Sequence, residues 1–191
     1  MRILYLCPDL GIPVLGRKGC STHVRETCLA LQEAGHEVVL LCSSKGDDEN
    51  LSEGLTIIEA PPNNRKYLGY DLRNFIQNMA LARHGRKLLE DRPFDAIYER
   101  SALYSSVGAR LERRFGIPRI LEMNAFLTVE QEKKLHFLRL AKWFEHHMAR
   151  QAPAIVVVSQ PLRESLAEIG VPRERIFIMP MAVNINHFIP D

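Results

Sequence analysis

The chain has 191 residues, enough for one large domain or two small ones with a substantial buried core. Hydrophobic residues make up 46% and charged residues 25%, a globular balance, and a net charge of +2 is too small to argue for a nucleic-acid partner. No apolar run approaches the ~20 residues of a membrane span, and Pro8 and Asp9 interrupt the first apolar stretch too early for a signal peptide.

Residues 1–7 form an apolar run of strand length, followed by a turn-rich segment holding Gly11, Gly16 and Gly19. From Ser21 the period changes. Val24, Cys28, Leu31 and Ala34 fall on one helical face, Gly35 caps its end, and residues 36–42 restore a strand. A helix that starts behind a glycine-rich turn gathers unpaired N–H groups and positive dipole, which suits a phosphate. A nucleotide-handling site is therefore the leading expectation.

After a polar stretch to Gly54, residues 55–60 read as a strand closed by Pro61-Pro62-Asn63-Asn64, and residues 71–90 as a helix. Residues 94–100 form a strand, 104–115 a helix stopped by Gly116 and Pro118, and 119–124 the next strand. A long helix is expected after Thr128, whose spacing to Gln131 fits a capping box, with Phe137, Ala141, Phe144 and Met148 as its apolar face. Residues 154–158 are the plainest buried strand, followed by a helix over 161–169 and a last strand over 176–179. Strands alternating with helices predict a Rossmann-like α/β fold: a parallel sheet covered by helices on both faces, with ligands at the carboxyl ends of the strands.

Gly11-x-x-x-x-Gly16-Arg17-Lys18 misses a phosphate-binding P-loop, since Arg17 replaces Lys and no Ser or Thr follows to hold magnesium. The dinucleotide fingerprint is absent, and the second strand ends in Cys42-Ser43-Ser44 with no acid for a ribose. The four cysteines lack zinc spacing and read as buried reduced thiols, which favours a cytoplasmic location. His136 and His147 stand three turns apart, ~16 Å along one helix, too far to share a metal. His23 lies in the first helical turn past the glycine loop, as a surface group or a polar contact in the cleft. Glu99, Arg100, Glu122, Asn124 and Ser159 fall at carboxyl ends of strands, where this architecture places its site, although loop-anchoring hydrogen bonds would also suit them. Arg139, Lys142, His146 and Arg150 line the polar side of the long helix. A solvated surface explains such a stripe, and contact with anionic lipid headgroups is the sharper reading.

Four stretches carry a family resemblance. They are Lys18-Gly19-Cys20-Ser21-Thr22-His23-Val24 with the following Leu29 to Val38; Tyr98-Glu99-Arg100; Gly116 to Asn124; and Val156-Val157-Val158-Ser159 through Ile176 to Pro180 and Phe188-Ile189-Pro190. In this order they resemble the N-terminal domain of a glycosyltransferase of family 4, the retaining enzymes built from two facing Rossmann-like domains (GT-B). Two positions depart from the family pattern: Lys18-Gly19 stands for a glycine pair, and Pro180-Met181-Ala182-Val183-Asn184 for the Pro-Asn-Gly-Val-Asp closing motif.

The resemblance implies that residues 1–191 form a single acceptor-side domain, and that the donor-binding domain is absent from the chain. It implies a hexosyltransferase-like enzyme moving sugar from a nucleotide-sugar donor to a hydroxyl of a glycan, lipid or small molecule, with no cofactor or obligatory metal. Gly16, Gly19 and His23 would form the loop facing donor phosphate and sugar. Glu99, Arg100, Glu122, Asn124 and Ser159 would contact acceptor or sugar, and no catalytic residue is assigned. Two alternatives stay open: a non-catalytic binding or scaffold half of a split transferase, and part of a sugar-nucleotide epimerase of the same architecture.

Overall fold

The computed structural model describes residues 1–60 and 68–181, so the expected turn at Pro61-Pro62-Asn63-Asn64 and most of the closing segment after Met181 lie outside the described residues. Seven strands form one sheet: β1 (Arg2–Cys7), β2 (Glu37–Cys42), β3 (Thr56–Glu59), β4 (Ala96–Arg100), β5 (Arg119–Met123), β6 (Ala154–Val157) and β7 (Ile176–Ile178). Among the described residues six α-helices connect them: α1 (Gly19–Glu33), α2 (Tyr70–Asp91), α3 (Val107–Phe115), α4 (Leu127–Glu130), α5 (Leu138–Gln151) and α6 (Gln160–Glu168). The spatial order is β3-β2-β1-β4-β5-β6-β7, with every pair parallel. The order reverses between β1 and β4, so their carboxyl ends open the crevice where this topology binds ligands.

Parity along the strands divides the core. Tyr5, Cys7, Leu40 and Tyr98 face one side and pack with Val24 and Cys28 of α1. Leu4, Leu6, Leu41 and Ile97 face the other and pack with Leu81 and Leu89 of α2 and Leu111 of α3. Farther along that second side, Leu121, Met123, Ile155 and Val157 meet Ala149 of α5 and Leu166 of α6. These clusters explain why β1, β2 and β4 read as continuous apolar runs: both their faces are covered, whereas Val156 and Phe177 of β6 and β7 are only partly buried or exposed on the α1 side. Cys7, Cys28 and Cys42 are buried and Cys20 is partly exposed, all four free.

Two helices depart from the sequence expectation. The helix expected from Tyr104 starts only at Val107, because Tyr104 adopts a φ of 58°, a conformation that bulky residues rarely hold. Its hydroxyl bonds Asp71, and Asn78 Nδ2 donates to the neighbouring Leu103 carbonyl at 2.9 Å, so α2 pins the turn from outside. The long helix after Thr128 is broken into α4, a short 3-10 turn and α5. Thr128 is not the N-cap. Phe126 holds that position, and Glu145 of α5 accepts from the Leu127 N–H at 2.7 Å and the Thr128 hydroxyl at 2.5 Å. A carboxylate from another helix therefore caps α4, which requires the chain to fold back. Phe137 leaves the expected apolar face as a result: it is 64% exposed, while Ala141 and Ala149 carry the buried side of α5.

Candidate functional site

At the carboxyl ends of β4 and β5, register places Arg100 beside Glu122, and both side chains point to the α1 face. Arg100 donates to Glu122 Oε1 at 2.7 Å, His23 Nε2 lies 2.8 Å from the same oxygen, and the Tyr5 hydroxyl donates to Oε2 at 3.2 Å. The Glu122 side chain is only 2% exposed. Burial pushes its carboxyl up, but the His23 hydrogen bond and the Arg100 charge outweigh that and hold it below its ordinary value. Glu122 is thus a fixed anion that orients an imidazole and a guanidinium arriving from different elements.

Above this cluster lies a cleft of about 360 Å³, continuous through shared walls with a second lobe of about 300 Å³. Arg100 and Asn124 line it. The start of α1 contributes Lys18 and Cys20, the loop after β1 contributes Asp9, the first turn of α2 contributes Tyr70, Arg73 and Asn74, and the α4 region contributes Glu130, Gln131 and Lys134. Among the described residues no side chain caps the α1 N-terminus, and no acid stands in its first turn. The Ser21 N–H already donates to the Lys18 carbonyl, so the Gly19 and Cys20 amides, with the helix dipole, are the groups left for an anion. The Asn124 side chain lines the second lobe and lies against Glu122, where it helps to hold that carboxyl down.

The structure separates the sequence-derived candidates. Arg100 and Asn124 reach the cleft, and His23 and Glu122 meet directly behind Arg100. Gly19 is the exposed first residue of α1, between the cleft-lining Lys18 and Cys20. It is helical without a positive φ, and a Cβ there would meet nothing within 4 Å.

Gly16, Glu99 and Ser159 are not brought to the cleft. A Cβ on Gly16 would lie 2.8 Å from Pro13 Cγ, and the Gly16 carbonyl accepts from Arg25 at 2.7 Å, so this glycine serves close packing of the loop. Ser159 is the N-cap of α6, accepting from the Leu162 N–H. Glu99 points to the opposite side of the sheet, where it accepts from Arg119 at 3.0 Å, the Gly108 N–H at 3.0 Å and the Ser105 hydroxyl at 3.2 Å. All its strong partners are structural.

Sequence reasoning missed Asp9, Lys18, Tyr70, Arg73 and Lys134. Asp9 follows β1 at the crevice and could have been found from topology; the α2 residues could not, because nothing local shows where that helix begins in space. The tempting histidines are also placed. His136 pairs with Asp71, His147 stacks on Trp143 at 5.0 Å, and His146 meets Phe126 edge-on at 5.6 Å. Among the described residues no three His, Cys, Asp or Glu side chains gather as a metal site.

A model of the glycosyl transferase 4-like domain matches residues 18–182. The chain belongs to that family. Similar solved structures include sucrose-phosphate synthase from Thermosynechococcus elongatus (14% identity, TM-score 0.73, 97% of this chain and 49% of that one). Anabaena HepE in complex with UDP-glucose is similar at 16% identity and a TM-score of 0.64, over 97% of this chain and 45% of that one. UDP-N-acetylglucosamine 2-epimerase from Rickettsia bellii is similar at 13% identity and a TM-score of 0.58, over 93% and 44%. The chain thus spans just under half the length of these proteins. Comparison with curated proteins gives no match.

Proposed function

We propose that this domain is the acceptor-side half of a retaining glycosyltransferase, which moves a sugar from a nucleotide-sugar donor to a hydroxyl of a glycan, lipid or small molecule. One observation carries the reading: the cleft beneath the α1 N-terminus sets Lys18, Arg73, Arg100 and Lys134 against Asp9, Glu130 and the Glu122 carboxylate paired with Arg100 behind it. An excess of fixed cations in a concave site attracts a phosphate-bearing ligand and stabilises negative charge as it develops on a leaving group. Arg100 is already locked by Glu122, so its charge requires little reorganisation on binding. A UDP-glucose complex among similar proteins supports the donor class. We assign the protein to the cytoplasm, where nucleotide sugars and reduced thiols coexist.

Most of the donor site and the cations on its diphosphate would belong to a second domain, so the chain by itself should not turn over. Titration with UDP-glucose and related nucleotide sugars, with acceptors present, tests this. We expect no steady turnover and donor binding weaker than ~10 µM (about −7 kcal/mol). Tighter binding or turnover would contradict the half-site assignment. The protein joined to a donor-binding domain should release product with the donor's anomeric configuration, which proton NMR reads directly; inversion would refute the retaining mechanism.

A second reading, epimerisation of a sugar nucleotide, is favoured by the epimerase of the same fold. It predicts a changed sugar on the nucleotide with no acceptor added.

A further inference from the structure

The amino ends of the strands carry a second polar concavity, at the pole of the sheet opposite the cleft. Arg119 opens β5, Arg175 immediately precedes β7, and Arg150 and Gln151 close α5 just ahead of β6. With Ala109, Glu112 and Arg113 of α3 they line a pocket of about 320 Å³. The five residues of β5 set it roughly 13 Å from the cleft, and no residue lines both.

Four arginines meet here, and their pairing is uneven. Arg119 is held by Glu99 at 3.0 Å and by Glu112 at 2.9 Å. Arg150 Nε donates to the Ile169 carbonyl at 2.7 Å, and Arg113 Nε reaches only the Ala109 carbonyl of its own helix. Among the described residues neither they nor Arg175 pairs with a carboxylate, so two acids answer four guanidinium groups. Neighbouring arginines outside the pocket behave differently: Arg114 pairs with Glu90 at 3.2 Å, and Arg173 with Glu164.

Arg119 supplies the deciding observation. Its side chain is 1% exposed, and its Nη2 has no hydrogen-bond partner among the described residues. A buried guanidinium N–H is costly to leave unpaired, so folded proteins supply an acceptor. Nε and Nη2 share one edge of the planar guanidinium, and Nε points to Glu112, a wall of this pocket. The unpaired nitrogen is thus directed to the pocket side. The alternative is a void of about 20 Å³ beside Glu99, which Glu112 does not line.

We infer that this arginine pocket binds a phosphoryl group, of free phosphate or pyrophosphate or of a small monoester, at a site separate from the cleft. Planar forks of N–H donors match phosphate oxygens. No aromatic side chain lines the pocket, so it has nothing to stack on a nucleobase and reads the phosphate alone. A bound dianion accepts from Arg119 Nη2, Arg113 and Arg175, and so ties the end of α3 to the starts of β5 and β7. The site stands whether or not the cleft transfers sugar.

The cleft is also cationic, so the test uses protein carrying Lys18→Ala and Arg73→Ala. Calorimetric titration at fixed ionic strength compares pyrophosphate, inorganic phosphate and glucose 6-phosphate. We expect saturable binding; glucose 6-phosphate ahead of the inorganic ions identifies a monoester site, and the reverse order a free-phosphate site. Adding Arg113→Ala and Arg175→Ala should weaken the tightest of the three at least ~10-fold, as two charge-assisted but exposed contacts are lost. The control pair Arg114→Ala with Arg173→Ala removes equal charge outside the pocket and should change affinity by no more than about a factor of two. All four arginines are exposed, and an unchanged melting temperature without ligand checks each fold. In the wild type, pyrophosphate should shift the Nε proton resonance of the sealed Arg119 side chain, which no ligand in the cleft touches. Three results overturn the inference: no saturable binding, binding that the pocket pair leaves unchanged or that both pairs weaken equally, or an Arg119 resonance unmoved at saturation.

Discussion

Glu99 and Glu122 end neighbouring strands, are both almost wholly buried, and each holds an arginine, yet they do opposite work. Register explains it. Arg100, not Glu99, lies beside Glu122, so the two carboxylates project from opposite faces of one sheet. Glu99 is sealed under α3, where burial pushes its carboxyl up against the pull of Arg119 and the Gly108 N–H. Glu122 opens onto α1 and is held down by His23 and Arg100. In a parallel sheet one residue of parity decides whether an acid fastens the fold or arms a cleft.

The comparison can be broken most severely on the Glu99 side. Glu99→Ala leaves the buried Arg119 guanidinium short of a partner and should cost about 3–5 kcal/mol. Gly108→Ala should cost a comparable amount, because its Cβ would overlap Glu99 Oε2 and lie 2.6 Å from Arg119 Cδ. Urea unfolding measures both. A loss under about 1 kcal/mol for either would mean that this knot does not hold the fold.

Glu122→Gln keeps the shape and removes the charge. It should cost about 1.5–3 kcal/mol, the range for hydrogen bonds to ionised groups. Folded Glu122 titrates below its ordinary value of 4.5, and unfolded Glu122 titrates near it. Its contribution is therefore complete above about pH 4.5 and disappears as pH falls through the lower folded value. The stability gap between wild type and Glu122→Gln, followed from pH 7 downward, should close below pH 4.5; a gap that persists there would show that the charge was not its source.

The smallest stability change belongs to Gly19→Val. A helical position with open space for a side chain should shift stability by no more than about 0.5 kcal/mol. In a protein carrying both halves, the same change should lower activity by orders of magnitude if donor backbone contact occurs there. Normal turnover would remove this helix tip from the site, and a clear fall in melting temperature would make the glycine structural.

The sheet was legible because apolar runs of strand length, punctuated by Gly and Pro, need only local reading. Each expected strand over described residues is present within two residues or so at its ends. What failed needed the third dimension. Thr128 looks like a cap because Gln131 follows it, and only Glu145 folding back overrides that. Ser159 looked like a site residue for lying at a strand end, but the same position also begins a helix and needs a cap. Glu99 and Glu122 could not be told apart without the register between their strands. The α2 contribution to the cleft, Arg73 and Asn74, is set by a crossover whose direction no local pattern records.

The strand order also sets a clock. His23 and Glu122 are 99 residues apart, and β1 must wait for β4 to emerge before its second edge is paired. At roughly 5–20 residues per second, a ribosome needs on the order of 5–20 s to make that span. During this interval α1 can pack on β1 and β2, while His23 has no carboxylate to meet and one edge of the central strand lies open. A nascent chain is therefore most vulnerable to wrong pairing between the synthesis of β2 and β4, and slower decoding there would lengthen its exposure.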